Sequence, residues 1–180
     1  MNYNKKMRAL TGNNVHLRAL EPEDLEFLYE IENDSTFWEV SSTETPYSKY
    51  ILQQYLANAH LDIYEAKQLR LVIGINKSDK PIGLIDLFDF NPQHKRAGVG
   101  ILLLENEQQK GYASEALELL IDYSFKNLNL HQLFANITKD NKKSTKLFKK
   151  YHFKEVGTKK EWIFMEGEFK DEVLYQLLNS

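Results

Sequence analysis

Apolar and polar residues alternate over residues 14–20 (NVHLRAL), the period of a half-buried strand. Glu21-Pro22-Glu23-Asp24 follows as a helix start, with proline in the first turn and acidic residues at the positive end of the dipole. Leu25, Leu28, Tyr29 and Ile31 continue at helical spacing. A second stripe, Ile51, Leu52, Tyr55, Leu56 and Ala59, predicts a helix over 48–65. The period then changes. Residues 69–75 and 82–90 are expected as strands joined by the turn Asn76-Lys77-Ser78-Asp79-Lys80-Pro81. After a second turn at 91–94, the run 97–104 (AGVGILLL) is apolar on both faces, as suits a central strand covered by helices. Ala113, Ala116, Leu117, Leu120, Ile121 and Ser124 mark a packed helix over 111–125, and 131–138 returns to a strand. Asp140 is expected to cap a short helix carrying Leu147, Phe148 and Tyr151. Glu166-Gly167-Glu168 between apolar runs predicts a closing hairpin.

The order β-α-α-β-β-β-α-β-α-β-β puts an antiparallel meander ahead of one βαβ unit. It implies an α/β (α+β) fold with a mixed sheet and helices on both faces. No repeat or Pro/Gly-rich linker divides the chain, so residues 1–180 are read as one domain, with 1–10 expected to be disordered.

Composition narrows the function. Hydrophobic residues at 42% and charged residues at 27% are ordinary for a packed globular domain and argue against disorder. A balance of 23 basic against 26 acidic residues, net −3, excludes a large sequence-independent nucleic-acid binder. There is no cysteine, which removes disulfides, thiolate metal sites and cysteine nucleophiles together. Histidines 16, 60, 94, 131 and 152 form no i,i+4 pair, so no catalytic metal is expected. No run of about 18 apolar residues suggests a membrane span, and MNYNKKMRAL lacks a signal-peptide apolar region. A cytoplasmic protein is the expectation.

The informative stretch is Gln108-Gln109-Lys110-Gly111-Tyr112-Ala113, between a buried strand and a helix. Unpaired backbone N–H groups and the positive dipole end converge there, which suits phosphate or pyrophosphate. Gly111 permits close approach of a ligand, and the small Ala113 does not block it. The loop is neither a P-loop nor a three-glycine dinucleotide fingerprint. On spacing alone, a tight strand-to-helix turn with a solvated lysine remains an equal reading.

The pattern Q-x-x-G-x-A after an apolar strand resembles the pyrophosphate loop of the GNAT superfamily of acyl-CoA-dependent N-acetyltransferases. A second element is Asn141-Lys142-Lys143-Ser144, then Leu147-Phe148 and Tyr151-His152-Phe153. The third, Gly167-Glu168-Phe169-Lys170-Asp171 and Val173-Leu174-Tyr175, is similar to the closing hairpin of ribosomal-protein and spermidine acetyltransferases. Together these cover 14–178. The resemblance implies a mostly antiparallel central sheet of about seven strands and acetyl-CoA as co-substrate. Its pyrophosphate would be held by backbone at Gln109, Lys110, Gly111 and Ala113, with Gln108, Tyr112 and Ser114 also binding the cofactor. The backbone of Leu102, Leu103 and Leu104 would pair with pantetheine as an added strand. Asn141 and Phe148 would contact the cofactor arm. A homo-oligomer is left open.

An amine attacking a thioester must first lose a proton held with a pKa near ~10. The resemblance makes a carboxylate the base, acting directly or through water, with Asp86 and Asp89 as candidates. Three apart on one strand, they fall on opposite faces, so one at most faces the cleft unless a bulge intervenes. A backbone N–H near Leu103 would meet the oxyanion. Glu30, Glu32, Asp34, Glu39 and Glu44 gather around Trp38, and Glu32, Trp38 and Glu39 are read as binding a cationic amine.

Two positions depart from the family pattern. Phe148 stands where a tyrosine acid is usual; a thiol ionising near ~8.5 leaves as thiolate without it. Tyr151, one turn on, could substitute or be a packed helix-face residue. His152 replaces the usual glycine, at a place where positive φ would tax a side chain.

The reading is an acetyl-CoA-dependent N-acetyltransferase of a primary amine, with a polyamine such as spermidine as the leading acceptor. Alternatives are N-terminal acetylation of a ribosomal or other protein, a non-catalytic acyl-CoA-binding module, and a generic nucleotide-binding domain.

Overall fold

The chain enters its first helix through a tight 3₁₀ turn, Pro22–Asp24, as the Glu-Pro-Glu-Asp run implies. Asp24 Oδ2 accepts the Glu21 N–H at 2.9 Å, while both carboxylate oxygens take the Arg18 guanidinium at 2.7 and 2.9 Å. The computed structural model describes residues 10–38, 45–59, 61–165 and 167–179. Its helices are α1 (Leu25–Asn33), α2 (Lys49–Ala57), α3 (Ile63–Ala66), α4 (Tyr112–Lys126) and α5 (Lys142–Lys150). The strands are β1 (Val15–Ala19), β2 (Leu69–Ile75), β3 (Pro81–Asn91), β4 (Arg96–Leu103), β5 (Gln132–Thr138), β6 (Lys154–Met165) and β7 (Glu168–Leu178).

The seven strands form one sheet in the order β1-β2-β3-β4-β5-β7-β6. Only β4 and β5 run parallel, joined by the α4 crossover; every other pair is antiparallel. This is the mixed sheet that the element order implies, and the mostly antiparallel seven-stranded one that the family resemblance implies. Alternate strand residues feed two cores. Leu71, Ile73, Ile85, Leu87 and Val99 pack with Ile63 of α3, Leu117 and Leu120 of α4, and Phe148 of α5. On the opposite face Val72 and Leu84 pack with Leu28 and Ile31 of α1 and Leu52 of α2.

Three local details differ from the sequence reading. The helix expected over 48–65 is two helices, because Asn58 closes α2 and the Asp62 carboxylate caps α3, accepting from the N–H of Tyr64 and Glu65. The cap of α5 is Asn141, whose Oδ1 accepts the Ser144 N–H at 3.0 Å; Asp140 instead pairs with Lys170 at 3.2 Å. Leu10 packs against the core, while residues 1–9 of the lead-in expected to be disordered lie outside the described residues.

Candidate active site

The two parallel strands stay together briefly. β4 and β5 are paired only at Arg96–Gln132, Ala97–Leu133 and Gly98–Phe134. Beyond Gly98 they diverge, and β5 keeps its pairing with β7 on its far side. One edge of β4 from Val99 onward therefore faces a gap. The Leu104 N–H donates to the Ile82 carbonyl at 2.9 Å, and antiparallel alternation then turns Leu102 towards β3 as well. Ile101 and Leu103 aim their N–H and C=O groups into the gap. The Gln108 amide donating to the Leu103 carbonyl at 3.2 Å shows that this group points away from β3.

Two cavities meet at this gap, sharing Ile101, Leu102, Asn141 and Ser144 in their walls. The larger, about 790 Å³, runs along the loop before α4, past Gln108, Gln109, Gly111, Ala113 and Ser114. Its opposite wall is α5, with Lys143, Lys146, Leu147 and Lys150. Gly111 has φ 87°, the left-handed region where glycine alone is unstrained, and an added Cβ there would meet nothing of the chain within 4 Å. The cradle is open on the ligand side. The Lys110 ammonium turns away onto Glu107 at 2.9 Å, where Lys80 also binds, and the two lysines hold that carboxyl below its ordinary pKa. Lys110 thus contributes backbone to the loop, with its charge already engaged.

The smaller cavity, about 370 Å³, lies on the other side of the gap. Its wall includes Glu32, Gln68, Arg70, Asp86, Phe88 and Phe148, with Ile163 and Glu172 from the closing hairpin. Arg70 stands opposite Asp86 in the β2–β3 pairing. Its Nε and Nη2 donate to the two Asp86 oxygens at 2.8 and 3.1 Å, and Nη1 donates to Glu32 at 2.5 Å. Burial opposes the Arg70 charge, but Asp86 above all outweighs it and raises the guanidinium pKa further. Two carboxylates around one guanidinium leave the cavity a net negative charge.

The remaining sequence candidates fall at different distances from this centre. Leu104 packs into the second core and Tyr112 against the first. Asp89 is exposed at a bulge where the β3 register slips between Phe88 and Asn91; its φ is 48°, and it lines neither cavity. The Trp38 indole N–H donates to the Glu32 carbonyl at 3.1 Å, so it braces α1 next to the cavity. Glu39 and Glu44 lie outside the described residues. Phe148 is buried edge-on against Phe153, ring centres 4.9 Å apart. The Tyr151 hydroxyl sits 2.8 Å from Oγ of Ser114, a residue of the larger cavity's wall, although Tyr151 itself lines neither cavity. His152 does adopt positive φ, 65°, closing α5 with two paired bonds: its own N–H to the Lys149 carbonyl and the Phe153 N–H to the Phe148 carbonyl. The sequence reading missed Ile101, Arg70 and the α5 lysines. Arg70 was not legible from the 76–81 turn alone, because the β2–β3 register slips between Ile73 and Gly74 before it sets Arg70 opposite Asp86.

Residues 14–154 match the family model of the acetyltransferase (GNAT) domain. The chain belongs to the GNAT acetyltransferase family. It is 30% identical over 167 residues to a spermidine N(1)-acetyltransferase of Vibrio cholerae, covering 91% of this chain and 92% of the relative. Its fold is similar to that of spermidine N-acetyltransferase from Vibrio cholerae in complex with CoA and spermine, with TM-score 0.83, 30% identity, and 91% and 95% of the two chains covered. A dodecameric structure of spermidine N-acetyltransferase from that organism matches at TM-score 0.76 and 31% identity, covering 91% of this chain and 93% of that one. The protein is therefore an acyltransferase, and GNAT acetyltransferases use acetyl-CoA. The open cradle at Gly111, the lysine wall and the free β4 edge fit such a molecule. Among the described residues, no three His, Asp or Glu side chains are grouped to hold a metal ion, and no helix is long and apolar enough to cross a membrane.

Proposed function

We propose that this GNAT enzyme transfers acetyl from acetyl-CoA to a primary amine of a polyamine, spermidine being the leading acceptor. The observation that carries the reading is the negatively charged cavity of Glu32, Arg70 and Asp86, joined at the β4–β5 gap to the cavity of the Gly111 loop. A flexible polycation meets opposite charge there, and the relatives named above act on spermidine.

In this reading the loop N–H groups from Gln109 to Ala113 hold the pyrophosphate, and the β4 edge at Ile101 and Leu103 receives the pantetheine amides. Bound acetyl-CoA supplies an acyl group on a good thiolate leaving group. The Leu103 N–H, aimed into the gap, stabilises the oxyanion that develops on the acyl oxygen. Asp86 and Glu32 draw in the ammonium. Both Asp86 oxygens already accept from Arg70, so we assign Asp86 the proton through an intervening water rather than by direct contact. Asp89 takes no part. Holding amine and thioester together at the gap supplies the proximity term of the rate. A homo-oligomer in solution is also proposed, on the dodecameric relative.

The test is thiol release from acetyl-CoA with spermidine, spermine, putrescine, aminoglycosides, lysine and short peptides. Saturable release with polyamines is expected, and release with peptides alone would move the acceptor to protein N-termini. Asp86→Asn should lower kcat/KM for the polyamine about 10²-fold while leaving CoA affinity intact. An unchanged kcat/KM removes Asp86 from the mechanism.

A further inference from the structure

The net charge of −3 conceals a strong asymmetry. Between Lys139 and Lys160 there are nine lysines against Asp140 and Glu155. Most of these lysines are already engaged. Lys139 and Lys160 pair with Asp171, Lys159 with Glu172, Lys142 donates to the Lys139 carbonyl, and Lys149 stands over the Tyr175 ring. Lys143, Lys146 and Lys150 differ. Spaced i, i+3, i+7, they share the face of α5 that walls the larger cavity. Among the described residues no carboxylate stands within ion-pair distance of any of them. The contacts of Lys143 and Lys150 are neutral: Gln108 Oε1 at 3.1 Å and Ser114 Oγ at 2.5 Å across the cavity, with the Lys150 ammonium also 5.3 Å from the centre of the Tyr151 ring.

A pyrophosphate on the loop is already served by backbone N–H groups and the α4 dipole. Three further cations exceed that need, and the stripe spans about 10 Å along the helix axis, enough for phosphates well apart. We infer that Lys146 and Lys150 form a second phosphate subsite, which reads the 3′-phosphate of coenzyme A and makes the enzyme selective against the 3′-dephospho form. Lys143, nearest Gln108 and the gap, serves the pyrophosphate end. The inference rests on the acetyl-CoA reading. The subsite selects the 3′-phosphorylated carrier through ammonium–phosphate hydrogen bonds that the dephospho form cannot make.

Calorimetric titration of the full chain with CoA and with 3′-dephospho-CoA tests it without turnover. The unsubstituted protein should bind CoA about tenfold or more tighter than the dephospho form. Lys146→Gln/Lys150→Gln should bind the two within about threefold, with dephospho-CoA affinity little changed. Lys142→Gln/Lys149→Gln removes equal charge from α5 lysines that do not line the cavity and should keep the preference, which separates local contact from the general field. Equal affinities in the unsubstituted protein, or a preference that survives in Lys146→Gln/Lys150→Gln, would overturn the subsite and leave the acetyl-CoA reading intact. Failure to bind either ligand would overturn both.

Discussion

At the scale of the residue, Asp24 illustrates how one side chain joins sequence to fold. It is buried, takes both ends of the Arg18 fork, and accepts the Glu21 N–H that opens the first helical turn. Burial opposes its charge, but Arg18 and the backbone bond outweigh burial and hold its pKa below the ordinary 3.8. A lowered folded-state pKa means that the unfolded chain takes up the proton first. The stabilisation is therefore complete above the unfolded value and is lost as pH falls through the folded one. Asp24→Asn leaves Arg18 without its main partner and should cost about 3 kcal/mol in urea denaturation at pH 7, a gap that narrows below pH 4. The Glu-Pro-Glu-Asp run made the helix start legible, since a cap is local. The Arg18 partnership was not, because it depends on where β1 leaves the chain relative to that turn.

At the scale of the element, the loop between β4 and α4 carries two left-handed residues, Gln109 at φ 61° and Gly111 at φ 87°. The space beside Gly111 is empty of protein, so a large side chain there can be housed without displacing the core. Gly111→Trp should retain the fold, with strain of about 1–3 kcal/mol, and lose CoA binding. Thermal melting and calorimetry on the same sample separate the two effects, and near-normal affinity would remove the loop from the cofactor site. β3 shows the limit of reading elements from pattern. Its period places Asp86 and Asp89 on opposite faces, but the register slip after Phe88 leaves Asp89 in a positive-φ bulge at the surface. A bulge is set by how a strand meets its neighbour, and no local signal in Leu87-Phe88-Asp89 announces it.

At the scale of the whole molecule, charge is segregated between the two cavities. The smaller holds Glu32 and Asp86 around Arg70, and the larger holds the lysine wall of α5. Opposite fields at the two ends suit a polyanionic carrier and a cationic amine meeting in the middle. Raising salt from about 0.1 M to about 1 M shortens the screening length from ~10 to ~3 Å. CoA affinity should then fall and the KM for the amine should rise, while binding of uncharged pantetheine stays constant. Parallel salt dependence of all three would deny the segregation a functional role.

The sequence by itself determined the succession of strands and longer helices, the sheet's mixed character and the glycine loop, and its resemblance to the GNAT superfamily pointed to the family. The first three follow from period, caps and turn residues, whose physics acts over a few positions. Only the tertiary structure decided which polar groups share a cavity. The β4–β5 divergence exposed Ile101 and Leu103 and turned Leu102 away. The β2–β3 pairing engaged Asp86 with Arg70, and the packing of α5 against the loop gathered three lysines that the sequence shows only as a basic run. Such meetings depend on register and helix rotation between distant segments, and a one-residue change in either would have sent every one of these side chains elsewhere.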